Sequence, residues 1–297
     1  MPDQNDMRAV ILDFPNQLIR GIDAAKNVQL AGRFDKAVVC GMGGSAMATA
    51  EHLQALATTQ GSNAAVWVHR GYDLPAGVTS SALVIASSYS GNTEETLSAY
   101  DAARELGCTT IAVTTGGKLA ERARRDGTAL VELQTKAIPP RLAVGESSAA
   151  VLMVLARAGI IPSPETELRA VAAWLKPVTY EAESKALAAN LMNRIPLVYA
   201  SDQWKAVARS WKAALNENAK TPAFWNHLPE LTHNELAGFS APAGNPAAAL
   251  ASQVAVVMLT DPAEEPRMAR RTAITAELLR NHGVAVHDVA IDGATPL

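Results

Sequence analysis

Short apolar runs recur along the chain. KAVVC (Lys36–Cys40), AAVWV (Ala64–Val68), ALVIAS (Ala82–Ser87), TTIAVTT (Thr109–Thr115) and ALVEL (Ala129–Leu133) are rich in Val and Ile. They lack strict polar alternation, so they predict strands buried on both faces. Between them lie segments with helical spacing, such as Thr93–Leu106, where Leu97, Tyr100, Ala103 and Leu106 recur. Strand–helix alternation predicts a parallel sheet covered by helices on both sides. Pro139, Pro140 and GESS (Gly145–Ser148) interrupt the pattern, and an Ala/Val/Leu-rich helix is expected over Ala149–Ala158. GIIPSPETE (Gly159–Glu167) reads as a turn and a new helix start. The second half resumes with a strand IPLVYAS (Ile195–Ser201) and a helix from about Gln203 to Ala219. A strand VAVVML (Val254–Leu259), a helix over Glu264–His282 and a strand VAVHDVAI (Val284–Ile291) complete a shorter copy of the first half. Two domains are expected, residues 1–158 and 159–297.

Composition narrows the class. Of 297 residues 48% are hydrophobic and 19% charged, which suits folded domains. A formal net charge of -3 gives no electrostatic footprint for nucleic acid or an anionic membrane. No signal peptide or membrane-spanning run is visible in the sequence. Cys40 and Cys108 sit in or beside apolar runs and read as buried, reduced thiols of a cytoplasmic protein.

Two turns draw attention as sites. CGMGGSAMATA (Cys40–Ala50) follows a strand and opens a helix. Gly41, Gly43 and Ala46 satisfy a dinucleotide spacing, but His69 and Arg70 stand where that site needs an acidic residue. A dinucleotide-dependent oxidoreductase is therefore a weaker alternative. SSYSGNTEET (Ser87–Thr96) has the same placement and concentrates Ser87, Ser88, Ser90 and Thr93. Such hydroxyls can serve as helix caps. They can also hold a phosphate monoester at a helix N-terminus, where the dipole favours negative charge. Two such turns on one parallel sheet converge at the carboxyl ends of its strands. The sequence around both turns is similar to phosphosugar-binding sugar isomerase (SIS) domains.

The stretch Ala214–Phe239 is the most polar of the second half. It holds Glu217, Lys220, His227, Glu230, His233 and Glu235, interleaved with Asn216, Asn218, Asn226 and Asn234. Zinc binding by His227, His233, Glu230 and Glu235 is disfavoured because the spacing is not H-E-x-x-H and no Cys joins. A structural hydrogen-bond network and a proton-transfer site are the other readings; carboxylate plus imidazole favours proton transfer. Lys220 reads as a solvated helix-end lysine.

The elements N-E-N-A-K and P-E-L-x-H-N-E resemble the bifunctional phosphoglucose/phosphomannose isomerases, a SIS-fold family. The resemblance implies two SIS-like α/β domains, each a flavodoxin-like three-layer arrangement with a parallel sheet flanked by helices. It implies a sugar-phosphate aldose–ketose isomerase, working through a cis-enediol and needing no metal or organic cofactor. Gly44, Ser45, Ser88, Ser90 and Thr93 would hold the substrate phosphate. Glu217 would be the base, His233 the ring-opening group reaching the site from a partner subunit, and Arg141 the stabiliser of enediolate charge. A homodimer is expected, with no nucleic-acid or membrane partner. The family pattern also expects a helical segment past Leu297 with a lysine that joins the histidine in ring opening; no lysine follows Lys220. A non-catalytic phosphosugar-binding protein is the alternative that this difference favours.

Overall fold

A computed structural model of the chain describes residues 6–43, 50–53, 65–135, 138–241, 244–291 and 293. The described residues form two compact units, divided between Thr179 and Tyr180. That division falls later than the boundary the sequence pattern predicts. The helix after Gly159 packs with the first unit, burying Leu168 and Ala172 in the cluster that holds Leu18 and Ile22.

In the first unit, α1 (Met7–Leu12) and α2 (Phe14–Ala25) precede β1 (Lys36–Cys40), β2 (Ala65–His69) and β3 (Leu83–Ser87). Then come α3 (Glu94–Glu105), β4 (Thr109–Thr114), α4 (Gly117–Asp126), β5 (Ala129–Glu132), α5 (Val144–Arg157) and α6 (Glu165–Trp174). The five strands pair in parallel in the order β2-β1-β3-β4-β5. This is the flavodoxin-like order, with a topological switch point between β1 and β3. Alternate strand residues feed two layers. Val39, Leu83, Ile85, Ile111 and Val113 join α2 and α5, while Val38, Val84, Ala86 and Ala112 join α3 and α4. Burying each large aliphatic side chain contributes roughly 1.5–3 kcal/mol.

The sequence pattern places GESS before its helix; the structure puts it inside α5, with Gly145, Glu146, Ser147 and Ser148 all buried. Close helix crossing explains this. A Cβ on Gly21 of α2 would lie 2.3 Å from Glu146 O, and one on Gly145 would lie 3.0 Å from Gln17 Cβ. Glycine on both helices lets the two backbones approach.

In the second unit, α7 (Glu181–Leu191), β6 (Ile195–Ser201), α8 (Lys205–Asn218), β7 (Phe224–Leu228), β8 (Val254–Thr260), α9 (Pro266–Asn281) and β9 (Ala285–Ala290) follow. The sheet is parallel, in the order β7-β6-β8-β9. Leu197, Tyr199, Val256 and Met258 face a layer containing Ala276 and Leu279 of α9. Val198, Ala200 and Val257 face Trp204, Ala208, Leu187 and Leu191. The strand FWNHL at β7 is not predicted from pattern, because Asn226 and His227 break the apolar run and prolines bound it. It forms by pairing its whole length with β6.

Candidate active site

The switch point of the first sheet places the ends of β1 and β3 side by side. After β1, Gly41 N donates to His69 O at 3.1 Å and Gly43 adopts φ 71°. Gly44 and Ser45 lie outside the described residues; residues 50–53 are helical. Arg70 pairs with Glu51 at 2.6 Å, and His69 Nε2 lies 3.1 Å from Tyr72 O. His69, which ends β2, and Arg70, which follows it, are thus both engaged by protein groups.

The turn after β3 is tightly built. Ser88 is buried, its Oγ lies 2.8 Å from Thr93 Oγ1, and it accepts from Gly91 N at 3.1 Å. Thr93 is the N-cap residue of α3 but its side chain makes no capping bond. Capping therefore does not account for this hydroxyl. Ser90 is exposed and its Oγ accepts from Asn92 N at 3.3 Å. Asn92 Oδ1 accepts from Lys118 N at 3.2 Å, tying the turn to the start of α4. Gly91 adopts φ 68°, and a Cβ there would lie 1.9 Å from Gly116 O. The next turn approaches too closely for any other residue.

Arg141 is half-buried in a 3-10 turn, Pro140–Leu142, between β5 and α5. Leu142 O accepts from Gln17 Nε2 at 2.9 Å, which anchors the C-terminal side of that turn to α2.

In the second unit, Glu217 is exposed in the last turn of α8. The helix ends as Lys220 enters the left-handed region at φ 55°, with its Nζ donating to Glu217 O at 2.6 Å. Asn216 Nδ2 donates to Thr221 O at 2.9 Å, binding the helix end to the approach of β7. The Asn216 and Lys220 side chains thus take part in ending the helix.

P-E-L-T-H-N-E follows β7 through a cis Leu228–Pro229 bond and a 3-10 turn, Glu230–His233, with Leu231 buried and His233 exposed. Asn234 Oδ1 accepts from Glu235 N at 2.6 Å, and Asn234 Nδ2 donates to Glu230 Oε1 at 2.7 Å. The Glu235 carboxylate accepts from the Tyr199 hydroxyl and from Asn226 Nδ2. Burial, then the hydrogen bond to Glu235 and its charge, push the Tyr199 hydroxyl far above the usual tyrosine range. Thr232 Oγ1 accepts from Arg271 of α9 at 3.0 Å. Glu230, Asn234, Glu235 and Asn226 therefore form the frame of the segment, and His233 is its exposed imidazole. His227 stacks on Trp225 with ring centroids 6.2 Å apart, and its Nδ1 lies 3.4 Å from Asp202 Oδ1. Among the described residues no group of three or more His, Cys, Asp or Glu side chains is placed to hold a metal ion. Sequence reasoning misses Tyr199, which reads as strand core; Tyr89 and Thr135, which lie in the turns after β3 and β5; and Glu146, which reads as part of a break before a helix.

Residues 180–297 match the family model described as bacterial phospho-glucose isomerase C-terminal SIS domain. Over 292 residues, 94% of this chain and 84% of the relative, the chain is 35% identical to the bifunctional phosphoglucose/phosphomannose isomerase of Caldicellulosiruptor bescii. The chain belongs to the bifunctional phosphoglucose/phosphomannose isomerase family. The Aquifex aeolicus member is 33% identical over 83% of this chain and 73% of its own. The fold of this family member is shared by Escherichia coli tagatose-6-phosphate ketose/aldose isomerase, at TM-score 0.68 and 18% identity, covering 97% of this chain and 82% of that one. In this isomerase-family chain the matched SIS domain begins where the second compact unit begins, at Tyr180.

Proposed function

We propose that the chain interconverts glucose 6-phosphate and mannose 6-phosphate with fructose 6-phosphate. In this reading the turn at Ser88, Ser90 and Thr93, with Gly44 and Ser45, holds the phosphate and orients the sugar. Hydroxyls and backbone N–H groups at a helix start suit a dianion. His233 opens the pyranose ring by moving a proton between the anomeric hydroxyl and the ring oxygen. Glu217 then removes the C2 proton of the open aldose. The C–H electron pair becomes the C1=C2 bond as the carbonyl π pair moves to O1, which takes up a proton, giving a cis-enediol. Loss of the O2 proton then forms the C2 carbonyl as Glu217 returns its proton to C1, yielding the ketose. Arg141 stabilises the charge that develops on the enediolate oxygens. Binding energy from the remote phosphate supplies orientation for this proton transfer.

One observation carries the proposal. The N-E-N-A-K and P-E-L-T-H-N-E elements sit, with Glu217 and His233 exposed, in a chain 35% identical to a bifunctional phosphoglucose/phosphomannose isomerase over 94% of its length. We further place the protein in the cytoplasm as a homodimer. Two free, buried cysteines, Cys40 and Cys108, support a reducing compartment. No helix among the described residues is long and apolar enough to cross a membrane. Sedimentation velocity decides the dimer: a single species at monomer mass overturns it.

The decisive experiment is a coupled isomerase assay of the full chain, with and without a chelator. Turnover of both aldose phosphates, resistant to chelator and lost in Glu217→Gln, is the expected result. Fructose 6-phosphate binding without turnover would replace the enzyme with a phosphosugar-binding protein.

A further inference from the structure

Glu146 is a fully buried carboxylate in the first turn of α5. Its Oε1 accepts from Gln134 N at 2.5 Å, and its Oε2 accepts from Thr135 N at 3.1 Å. Gln134 and Thr135 leave β5, and Glu146 lies just past the 3-10 turn that carries Arg141. One carboxylate therefore closes the neck of the loop bearing Arg141. Charge-assisted bonds of this kind are short and strong. Burying the carboxylate is costly without them.

Thr135 is held from every side. Its amide meets Glu146, its hydroxyl accepts from Arg20 Nε at 2.8 Å, and its carbonyl accepts from the Tyr89 hydroxyl at 2.6 Å. Arg20 Nε also lies 3.9 Å from Glu146 Oε2. Tyr89 stands between Ser88 and Ser90, in the turn assigned to the phosphate. Its own carbonyl accepts from Thr115 N at 3.0 Å, so the turn cannot shift independently of the sheet. The chain Ser88/Ser90–Tyr89–Thr135–Glu146 thus joins the phosphate turn to the neck of the Arg141 loop.

We propose that Glu146 is a positioning residue for the isomerisation, clamping the Arg141 loop and, through Thr135 and Tyr89, holding it in register with the phosphate turn. This inference rests on the role given to Arg141 above. Being fully buried, Glu146 acts through the loop. Phosphate binding and enediolate stabilisation share one rigid reference point, so substrate anchored at one end meets the guanidinium at a set distance from its reacting carbons.

Glu146→Gln keeps size but turns one acceptor into a donor that faces a backbone N–H. Its kcat for fructose 6-phosphate formation falls about tenfold to a hundredfold, with KM within about threefold, since small misplacements of a catalytic group cost rate. In an Arg141→Ala background the same substitution changes kcat by less than about twofold, because the group it positions is gone. Hydrogen exchange at the Gln134 and Thr135 amides rises at least about tenfold, while β1 and β3 amides stay protected. Equal fractional losses in both backgrounds, or unchanged exchange at Thr135, overturns the proposal. Unaltered kcat in Arg141→Ala also overturns it, yet leaves the isomerase function standing while the wild type turns over. Absence of wild-type turnover overturns the function itself, and the exchange readout, which needs no substrate, still decides the clamp. Tyr89→Phe removes a single oxygen and carries the same cycle should Glu146→Gln not fold.

Discussion

The hydroxyls of Ser88 and Thr93 lie 2.8 Å apart, bonded to each other across the turn that opens α3. Neither serves as a cap for the helix: Thr93 occupies the N-cap position without a side-chain capping bond. Among the described residues these hydroxyls bond each other and a neighbouring N–H, and such a pair can turn toward an anion at little cost. Replacing both, as Ser88→Ala with Thr93→Ala, removes the two proposed donors to the phosphate. Each hydrogen bond to a charged group is worth about 1.5–3 kcal/mol, so fructose 6-phosphate affinity falls by at least about a hundredfold. Calorimetric titration reads this directly. Unchanged affinity would move the phosphate cradle elsewhere.

Gly91 sits in the same turn at φ 68°, with Gly116 O where a Cβ would stand. Gly91→Ala combines left-handed strain with a backbone clash and costs more than about 2 kcal/mol. Thermal or urea unfolding checks it. Ser90→Ala, at the exposed neighbouring position, leaves the unfolding midpoint within experimental error while raising KM.

Glu217→Gln preserves the shape of the α8 terminus and removes the proposed base. Loss of general-base catalysis lowers kcat by about 10²–10⁴-fold, with substrate affinity retained. Because Glu217 is exposed and its main-chain carbonyl, not its carboxyl, accepts from Lys220, stability stays within about 0.5 kcal/mol of wild type. Near-normal turnover in this variant would remove Glu217 from the mechanism.

His233→Asn tests the proposed division between ring opening and proton transfer. Turnover of glucose 6-phosphate drops about a hundredfold or more. A 5-deoxy analogue, which has no C5 hydroxyl to close the pyranose, is converted by the variant and the wild type at similar rates. Equal losses on both substrates would assign His233 to the isomerisation step itself.

Burial, with a smaller contribution from Cys108, pushes the Cys40 thiol up to about 12. The folded protein keeps this proton where the unfolded chain, with its ordinary value of 9.0, loses it. Stability from Cys40 is therefore complete below pH 9 and declines as pH rises from about 9 to 12. Urea midpoints across that range fall more steeply for the wild type than for Cys40→Ala. At pH 8 Cys40 resists alkylation in the native protein and reacts once the chain is unfolded. Rapid native labelling at Cys40 would contradict its burial.

Local pattern alone reveals most of the strands. The Val- and Ile-rich runs at Lys36–Cys40, Leu83–Ser87 and Ile195–Ser201 are apolar on both faces, which only a covered parallel sheet tolerates. The strand–turn–helix junction after β3 and the polar stretch around Glu217 and His233 are equally legible, because turn chemistry is written in adjacent residues. Tertiary structure alone decides which polar groups of Ala214–Phe239 build the frame. Glu235 is bound by Tyr199, 36 positions away, and no local pattern encodes that bond. The same holds for Glu146, which reads as part of a break before a helix. Its partners arrive from the end of β5, and through Thr135 from Tyr89, 46 positions earlier. A side chain's hydrogen-bonding capacity is set by its chemistry, whereas its partner is set by the fold that brings distant backbone to it.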